Sequence, residues 1–227
     1  GRDLQTVNWQ ASPANKDVVH FNTYDGVGRL DKNYLQFTSG TSGNMKSDPI
    51  QKVNDFYSET ERVVRMSYPY TENVFESSPL SRVKEIGFPG ESWNLNSDHT
   101  QKFEETSNAR NQVIMWGKSE VMRLMESGPG YVANDYYERG ELIQKTGIDE
   151  DGNLKREFFN KSGRLILSQT KPNTDWLDTY YIYDEKGQVI AVIPPKAIEQ
   201  MELAELNTIY TETNHLIFLN KYDKKGR

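Results

Sequence analysis

Acidic side chains are the most abundant groups in this chain that could do chemistry. The sequence has 33 Asp and Glu, 27 Lys and Arg, and three His. Neighbouring acids such as Glu104-Glu105 and Asp149/Asp151 are of the type that glycoside hydrolysis needs, which is two carboxyl groups facing each other across a cleft. No element of the sequence places such a pair across a cleft, and among so many acids such pairs arise by chance. The sequence therefore predicts no catalytic residue and a protein that is not an enzyme.

Candidate metal and cofactor sites are equally incomplete. The histidines His20, His99 and His215 lack the i, i+4 spacing of a zinc-binding helix, and the chain has no cysteine. The acidic run 149–153 has the composition of a calcium loop but lacks the remaining ligands of an EF-hand, which favours a plain hairpin turn. Gly26-Val27-Gly28 lacks the third glycine of a dinucleotide fingerprint. We predict no metal and no cofactor.

Aromatic side chains offer one possible binding chemistry. Exposed aromatic faces on a β-sheet can stack on sugars, whereas buried ones pack the core and mask sheet faces. Packing is the favoured interpretation and a carbohydrate-binding surface is the alternative. The four tryptophans that decide between them are Trp9, Trp93, Trp116 and Trp176.

Charge and hydropathy exclude two classes of partner. The formal net charge is −6, and the basic residues are interspersed among acids and form no stripe. Nucleic-acid binding needs clustered Lys and Arg to offset phosphate charge. The longest apolar run, Val189–Ile193, stops at Pro194-Pro195, far short of the ~20 residues of a membrane span. We predict no nucleic-acid partner and no membrane span.

An internal repeat is the feature that organises the chain. Its pattern is an aromatic or aliphatic residue, Asp or Asn, two variable residues, Gly, and then Arg or a polar residue. Repetition implies units that stack on neighbours to bury their apolar faces. The copies centre on Tyr24-Asp25 with Gly28-Arg29, Asp149 with Gly152, Phe159-Asn160 with Gly163-Arg164, Tyr183-Asp184 with Gly187, and Tyr222-Asp223 with Gly226.

Each copy of this pattern predicts a β-hairpin turn. Asp or Asn at the first turn position accepts a backbone hydrogen bond from two residues on, and Gly at the fourth supplies the left-handed conformation of a bulge. Aromatic and β-branched residues flank the turns, as in Thr179–Tyr183 and Val189–Ile193. We predict positive φ at Gly28, Gly163 and Gly187. The expected fold class is mostly β: antiparallel hairpin repeats forming an elongated, curved sheet, like a solenoid or shell segment.

Several segments depart from the regular hairpins. Helices are predicted over 49–61, where Asp48 would cap the start before Pro49, and over 195–206. Thr38–Lys46 is rich in Gly, Ser and Thr and is predicted to be a mobile loop. Gln112–Trp116 and His215–Leu219 are interpreted as strands. The segment 120–126 could be a strand or a helix, and the turn residues on both sides favour a strand. Val74–Val83 resembles a lengthened copy of the repeat, with Pro79 inside the turn.

The irregular spacing of the repeats suggests two regions. Residues 1–140 would form an N-terminal β region with degenerate repeats and the first helix, and residues 141–227 would form hairpin repeats with the second helix. One continuous domain is the alternative. Because the final repeat stops before its expected aliphatic residue, we expect this chain to be a segment of a longer protein, with any export signal or effector domain outside it.

The Tyr-Asp, Gly and Arg pattern resembles the tyrosine–aspartate (YD) repeats of Rhs and teneurin-type proteins. Three further strings resemble the uncharacterised domain that precedes the repeat core in large Rhs-type proteins of Bacteroidetes. They are Phe75–Val83, Pro89-Gly90-Glu91-Ser92-Trp93 and Tyr180–Asp184, and the match closes at Val192–Lys196.

The resemblance implies a structural function. In that family the repeats form a long β-sheet that winds into a hollow shell, often around a C-terminal toxin domain. It implies a non-enzymatic module of an exported or cell-surface protein, whose partners are the rest of its own repeat core and an encapsulated C-terminal effector. The self-cleaving aspartate site of many Rhs proteins has no matching segment here. Glycans remain the alternative partner, bound through exposed Trp and Tyr.

Overall fold

The structure is a computed structural model that describes residues 1–116, 136–172, 174–203, 216–223 and 225–226. The predicted mostly β, antiparallel fold with two short helices is confirmed. The strands are β1 Gln5–Asn8, β2 Val18–Tyr24, β3 Leu30–Tyr34, β4 Phe37–Thr38, β5 Tyr70–Phe75, β6 Val83–Gly87, β7 Gln101–Ser107, β8 Ile143–Ile148, β9 Leu154–Phe159, β10 Leu165–Lys171, β11 Leu177–Tyr183, β12 Val189–Ile193 and β13 Phe218–Leu219; the helices are α1 Pro49–Glu59 and α2 Pro195–Leu203.

The chain divides into two compact units. Unit 1 comprises Gly1–Phe103 with Ile148–Gly152, and unit 2 comprises Glu104–Gly147 with Asn153–Arg227. The predicted division into a region 1–140 and a region 141–227 stays a prediction, as does the alternative of one continuous domain.

In unit 1 the strands follow the order β1-β2-β3-β5-β6-β7, and β4 pairs with β2 beyond the end of β3. The hydrophobic core combines alternate residues of β2 with residues of β3 and β4, because successive strand side chains point to opposite faces. The rings of Phe21 and Tyr34 stack with centroids 4.1 Å apart, and Phe37 meets Phe21 edge-on. Helix α1 closes this core with Val53, which is fully buried.

In unit 2 the strands β8 to β13 follow one another in chain order as antiparallel neighbours. Phe158, Leu167 and Tyr180 face one another across three neighbouring strands and are buried, with Ile193 of β12 as the next member of the row. Helix α2 begins at Pro195, as predicted, and contributes Ala197 and Ile198 to this core. The predicted end of this helix, 204–206, lies outside the described residues.

Helix α1 begins where expected but not for the expected reason. Pro49 occupies the first turn, as its fixed φ favours. Asp48, however, has φ 49° and makes no side-chain cap bond. Its backbone carbonyl accepts from the N–H of Lys52 at 3.1 Å instead. The left-handed conformation of Asp48 therefore sets the direction in which the chain enters the helix, and the predicted side-chain cap is wrong.

The segment Thr38–Lys46 is anchored by a buried ion pair, contrary to the predicted mobile loop. Lys46 Nζ lies 2.6 Å from Asp17 Oδ2, and the side chains are 7% and 0% exposed. The same carboxylate accepts from the backbone N–H groups of Gln10 and Gly43. Burial by itself would raise the pKa of Asp17, but these bonds outweigh it and lower the pKa. Removing either charge would leave the other buried without a partner.

Two predicted strands are wrong over most of their length. Gln112–Trp116 forms only an isolated bridge from Ile114 to Tyr136. Its apolar residues pack into the core of unit 2 as irregular chain, and Val113 is fully buried. The prediction was wrong because a short apolar run alone does not distinguish a strand from other buried chain. Of the predicted strand His215–Leu219, only Phe218–Leu219 is extended, and His215 lies outside the described residues. The predicted strand at 120–126 also lies outside them.

Candidate functional site: the repeat turns and the contacts between hairpins

The first repeat turn shows how the pattern folds. The Asp25 N–H donates to the carbonyl of Arg29, and the Gly28 N–H donates to the carbonyl of Asp25, both at 2.9 Å. Asp25 Oδ1 accepts from the N–H groups of Val27 and Arg29 at 3.0 and 2.8 Å. Asp25 Oδ2 accepts from Arg29 Nε at 2.7 Å. One carboxylate thus satisfies the turn backbone and holds the arginine of its own repeat.

The other turns repeat this geometry. The predicted positive φ is confirmed at Gly28, Gly163 and Gly187, with values of 84°, 75° and 84°. The glycines of the two remaining copies, Gly152 and Gly226, have φ 82° and 78°. In the β2–β3, β9–β10 and β11–β12 hairpins a register shift accompanies the turn, as expected for a bulge.

An acceptor side chain heads every one of these turns. Asn160 Oδ1 takes the role of Asp25 and accepts from the N–H groups of Ser162 and Arg164, each at 3.0 Å. Asp184 Oδ1 accepts from Gln188 N–H at 2.8 Å. Asp149 and Asp223 accept from the N–H two residues on, which belong to Asp151 and Lys225, at 3.1 and 2.8 Å.

The lengthened copy Phe75–Val83 is a real variant of this turn. Glu76 replaces Asp and its longer side chain spans two extra residues, so Arg82 Nε donates to it at 3.0 Å. Ser78 Oγ also donates to Glu76, at 2.6 Å. Ser81, which precedes the arginine as Gly28 does, adopts φ 52°. The β5–β6 hairpin carries the same register shift as the others.

Arginine of one hairpin reaches the aromatic residue of the next. The Arg29 guanidinium lies 4.4 Å from the centroid of the Phe75 ring, and the Arg164 guanidinium lies 5.7 Å from that of Tyr183. Arg2 makes the same contact with Tyr24, at 5.6 Å. A cation over an aromatic face is electrostatically favourable, so each contact couples neighbouring hairpins.

A second contact between hairpins converges on one carbonyl group. This carbonyl belongs to the residue directly after the arginine or its equivalent in the preceding hairpin. Tyr183 Oη donates to the carbonyl of Leu165 at 2.8 Å, and Tyr222 Oη donates to that of Val189 at 2.9 Å. Tyr24 Oη donates in the same way to the carbonyl of Asp3, at 3.1 Å.

Asparagine strengthens this contact, which the repeat pattern alone did not predict. The amides of Asn22 and Asn220 donate to the same carbonyls as Tyr24 and Tyr222, at 3.0 and 2.9 Å. Asn73 donates to the Leu30 carbonyl at 3.1 Å, where the neighbouring phenylalanine has no hydroxyl. The signal was present, because an asparagine stands two residues before the aromatic residue in these three copies.

Ion pairing within the turns fixes the charge state of their acids. The Arg29 backbone N–H, followed by the Arg29 side chain, lowers the pKa of Asp25, although burial opposes this. Hydrogen bonds from Ser78 and then Arg82 lower the pKa of Glu76. Both groups are therefore carboxylates at neutral pH, and Asp25 holds the Arg29 side chain that contacts the next hairpin.

The remaining copies make weaker or different contacts. Lys145 Nζ lies 5.3 Å from the Phe159 ring centroid. Gln188 stands where others have arginine, and its Nε2 donates to the Gly226 carbonyl at 3.3 Å. In unit 1, Glu150 of the acidic turn accepts from Gln101 Nε2 through its carboxylate, and its carbonyl lies 3.0 Å from His99 Nδ1.

The tryptophans do not share one environment. Trp9 is 67% exposed, but its Nε1 donates to the Thr41 carbonyl at 2.9 Å. Trp93 is 40% exposed and lies 5.2 Å from the His99 ring. In unit 2, Trp116 packs edge-on against Tyr180, and Trp176 lies under an arginine. Trp9 and Trp93 are thus exposed while Trp116 and Trp176 make ring contacts, so packing and a carbohydrate-binding surface both stay predictions.

The described residues contain no cluster of three or more His, Cys, Asp or Glu that could hold a metal ion. Within the same ranges, none of the helices has the length and apolar character needed to cross a membrane. His20 Nε2 lies 3.4 Å from Asn33 Oδ1.

The comparison with known protein families gives a match to the N-terminal part of the chain. Residues 1–107 match the family described as Domain of unknown function (DUF6443). A search of curated proteins finds no match. The matched residues contain the first repeat turn, the lengthened turn and the helix α1.

Proposed function

We propose that this chain is a non-enzymatic structural module of a large exported protein of the Rhs/YD-repeat type. Its role is to contribute hairpins to a β-sheet shell that encloses a C-terminal effector. The observation that carries this proposal is the set of recurring contacts that join neighbouring hairpins within each unit. An arginine stacks on the following aromatic ring, and hydroxyl and amide groups of that hairpin return to one carbonyl.

These contacts favour a structural role because isolated hairpins are marginally stable in water. Stability in repeat proteins comes from terms within each repeat plus terms between nearest neighbours. The recurring side chains contribute to stability both within a repeat and between neighbouring repeats. Asp25 accepts hydrogen bonds within its own turn, and Arg29 contacts the aromatic ring of the next hairpin. The recurring residues are thereby used for construction.

The proposed partners are the remainder of the repeat core and an encapsulated effector. Strand β13 supports the first partner. Phe218 and Leu219 are 64% and 39% exposed, and the described pairing of this strand is to β12 alone. Exposed edges of this kind accept another strand. An extracellular or cell-surface location is part of the same proposal and rests on the family resemblance.

The parent protein provides the test. Limited proteolysis would compare the full-length wild-type protein with a variant carrying Arg29→Gln and Arg164→Gln. We expect the C-terminal region to be protected in the wild type and cut faster in the variant, since loosened hairpins open the shell. A matched control is Arg110→Gln, an exposed arginine outside the repeat turns. A C-terminal region cut equally fast in all three proteins would refute the enclosing role.

A further inference from the structure

One face of the sheet in unit 2 carries a polar row where its hydrophobic core ends. Arg156, Gln169 and Asp178 are register partners on β9, β10 and β11. They lie two residues along their strands from Phe158, Leu167 and Tyr180, and so they share the face of that buried row. Gln169 is 8% exposed, while Arg156 and Asp178 are half-buried.

Two buried polar atoms in this row have no partner. Gln169 Nε2 donates to Asp178 Oδ1 at 3.0 Å, but Gln169 Oε1 accepts no hydrogen bond. Arg156 Nε is also buried and unsatisfied. Buried polar groups are almost always hydrogen-bonded, and an orphaned group costs stability. A buried acceptor and a buried donor left open on adjacent strands indicate a place built for a ligand.

The charged groups around the row are the cations Arg156 and Lys171 and the carboxylate of Asp178, so their net charge is positive and favours an anion. The Arg156 guanidinium lies 4.2 Å from the Trp176 ring centroid, and Lys171 Nζ lies 5.7 Å from the same centroid. Neither cation pairs with a carboxylate among the described residues, whereas Lys155 on the opposite face pairs with Glu157. Stacking on Trp176 holds the planar guanidinium in a fixed orientation, which favours recognition of a carboxylate.

The unsatisfied acceptor Gln169 Oε1 narrows the chemical class of the ligand. A simple carboxylate satisfies Arg156 and Lys171 but gives no donor to Gln169 Oε1. A sugar acid has both a carboxylate and hydroxyl donors, close together. Neighbouring strands lie about 4.8 Å apart, so the row spans about 10 Å from Arg156 to Asp178, which is wide enough for one sugar residue.

We propose that the row Arg156–Gln169–Asp178 binds a hexuronate residue of an acidic saccharide. Arg156 and Lys171 receive the carboxylate, and Gln169 Oε1 accepts from a ring hydroxyl. Trp176 positions Arg156. This site is separate from the contacts that join the hairpins, and its ligand differs from the neutral glycans that exposed aromatic faces would bind.

Isothermal titration of the whole chain with tetragalacturonate tests the proposal. We expect binding with a Kd on the order of 100 µM, and no heat from a neutral galactose tetramer of the same length. Arg156→Gln should weaken binding about tenfold or more, since a charge-assisted bidentate bond is lost. Lys171→Gln is a second variant, in case Arg156→Gln does not fold by circular dichroism.

The matched control is Lys155→Gln, which removes the same charge from the adjacent residue on the opposite face of β9. It should bind like the wild type. In an NMR titration the side-chain amide of Gln169 should shift with tetragalacturonate. Several results would overturn the proposal: no binding by the wild type, equal losses in Lys155→Gln and Arg156→Gln, an unmoved Gln169 amide, or equally tight binding of a tetraglutamate peptide.

Discussion

The contact between Arg164 and Gly187 provides a sharp test of how the hairpins are coupled. Both Gly163 and Gly187 have positive φ, so alanine at either position costs about 1 kcal/mol of strain. A methyl group at Gly163 would meet nothing within 4 Å. At Gly187 it would fall on the Arg164 guanidinium, with its Cζ at 2.7 Å, and would push that group off the Tyr183 ring.

Displacing this guanidinium should add to the strain. A solvent-accessible cation–π contact contributes about 0.5–1 kcal/mol. We therefore expect Gly163→Ala to lower the free energy of unfolding by about 1 kcal/mol, and Gly187→Ala to lower it by about 1.5–2 kcal/mol. Urea unfolding followed by circular dichroism measures both values.

The same two alanine substitutions in a protein that also carries Arg164→Gln isolate the free energy of the contact between Arg164 and the next hairpin. There the excess cost of Gly187→Ala over Gly163→Ala should vanish, because no guanidinium remains to be displaced; this comparison is a double-mutant cycle. Equal costs of the two alanine substitutions in the wild-type background would refute the coupling. An excess cost that persists without Arg164 would refute its assignment to this contact.

Three further predictions follow from the turns. Asn160→Ala should cost about 1 kcal/mol in urea unfolding because two backbone N–H groups lose their acceptor, whereas Asn160→Asp should cost little. Tyr183→Phe should cost about 1 kcal/mol by removing the bond to Leu165, while the fluorescence and circular dichroism of the folded state stay unchanged. The folded-state pKa values of Asp25 and Glu76 are depressed below the ordinary 3.8 and 4.5. Their contribution to the free energy of unfolding is therefore complete above those ordinary values and is lost as the pH falls through the lower folded-state values. Unfolding midpoints from about pH 6 to about pH 2 should show this loss, and a variant with Asp25→Asn and Glu76→Gln should show a shallower one; an unchanged slope would count against the assignment.

The sequence predicted the turns well because their chemistry is local. Asp25 and Gly28 lie within one turn, and the spacing of acceptor and glycine fixes both the hydrogen bonds and the left-handed residue. The lengthened copy from Phe75 to Val83 was also recognisable, since glutamate reaches farther than aspartate and can span a longer loop.

The contacts between hairpins were harder to predict because they depend on register. Arg29 and Phe75 are widely separated in sequence and meet only after β3 and β5 pair. The buried pair Asp17–Lys46 joins residues 29 apart, and either residue alone has the appearance of a surface charge. The polar row of unit 2 was missed for the same reason, since Gln169 becomes notable only beside its strand neighbours.

Short segments without a repeat gave the poorest predictions. Gln112–Trp116 has the composition of a strand, but burial of Val113 in the core of unit 2 outweighs its strand propensity. Asp48 has the side chain of a helix cap, but its left-handed backbone turns that side chain away from the N–H groups. Tertiary packing decided both outcomes.

Light scattering over a concentration series tests the structural-module proposal most directly. If the proposal holds, the exposed edge strand β13 should pair with the same strand of a second copy. We expect the mean mass to rise between about 5 and about 500 µM, and Phe218→Lys to suppress this rise by placing a charge on the edge. Lys221→Gln, close to the strand but outside it, is the matched control and should associate like the wild type. A monomer at every concentration, or association unaffected by Phe218→Lys, would contradict the proposal that this chain is built to continue a sheet.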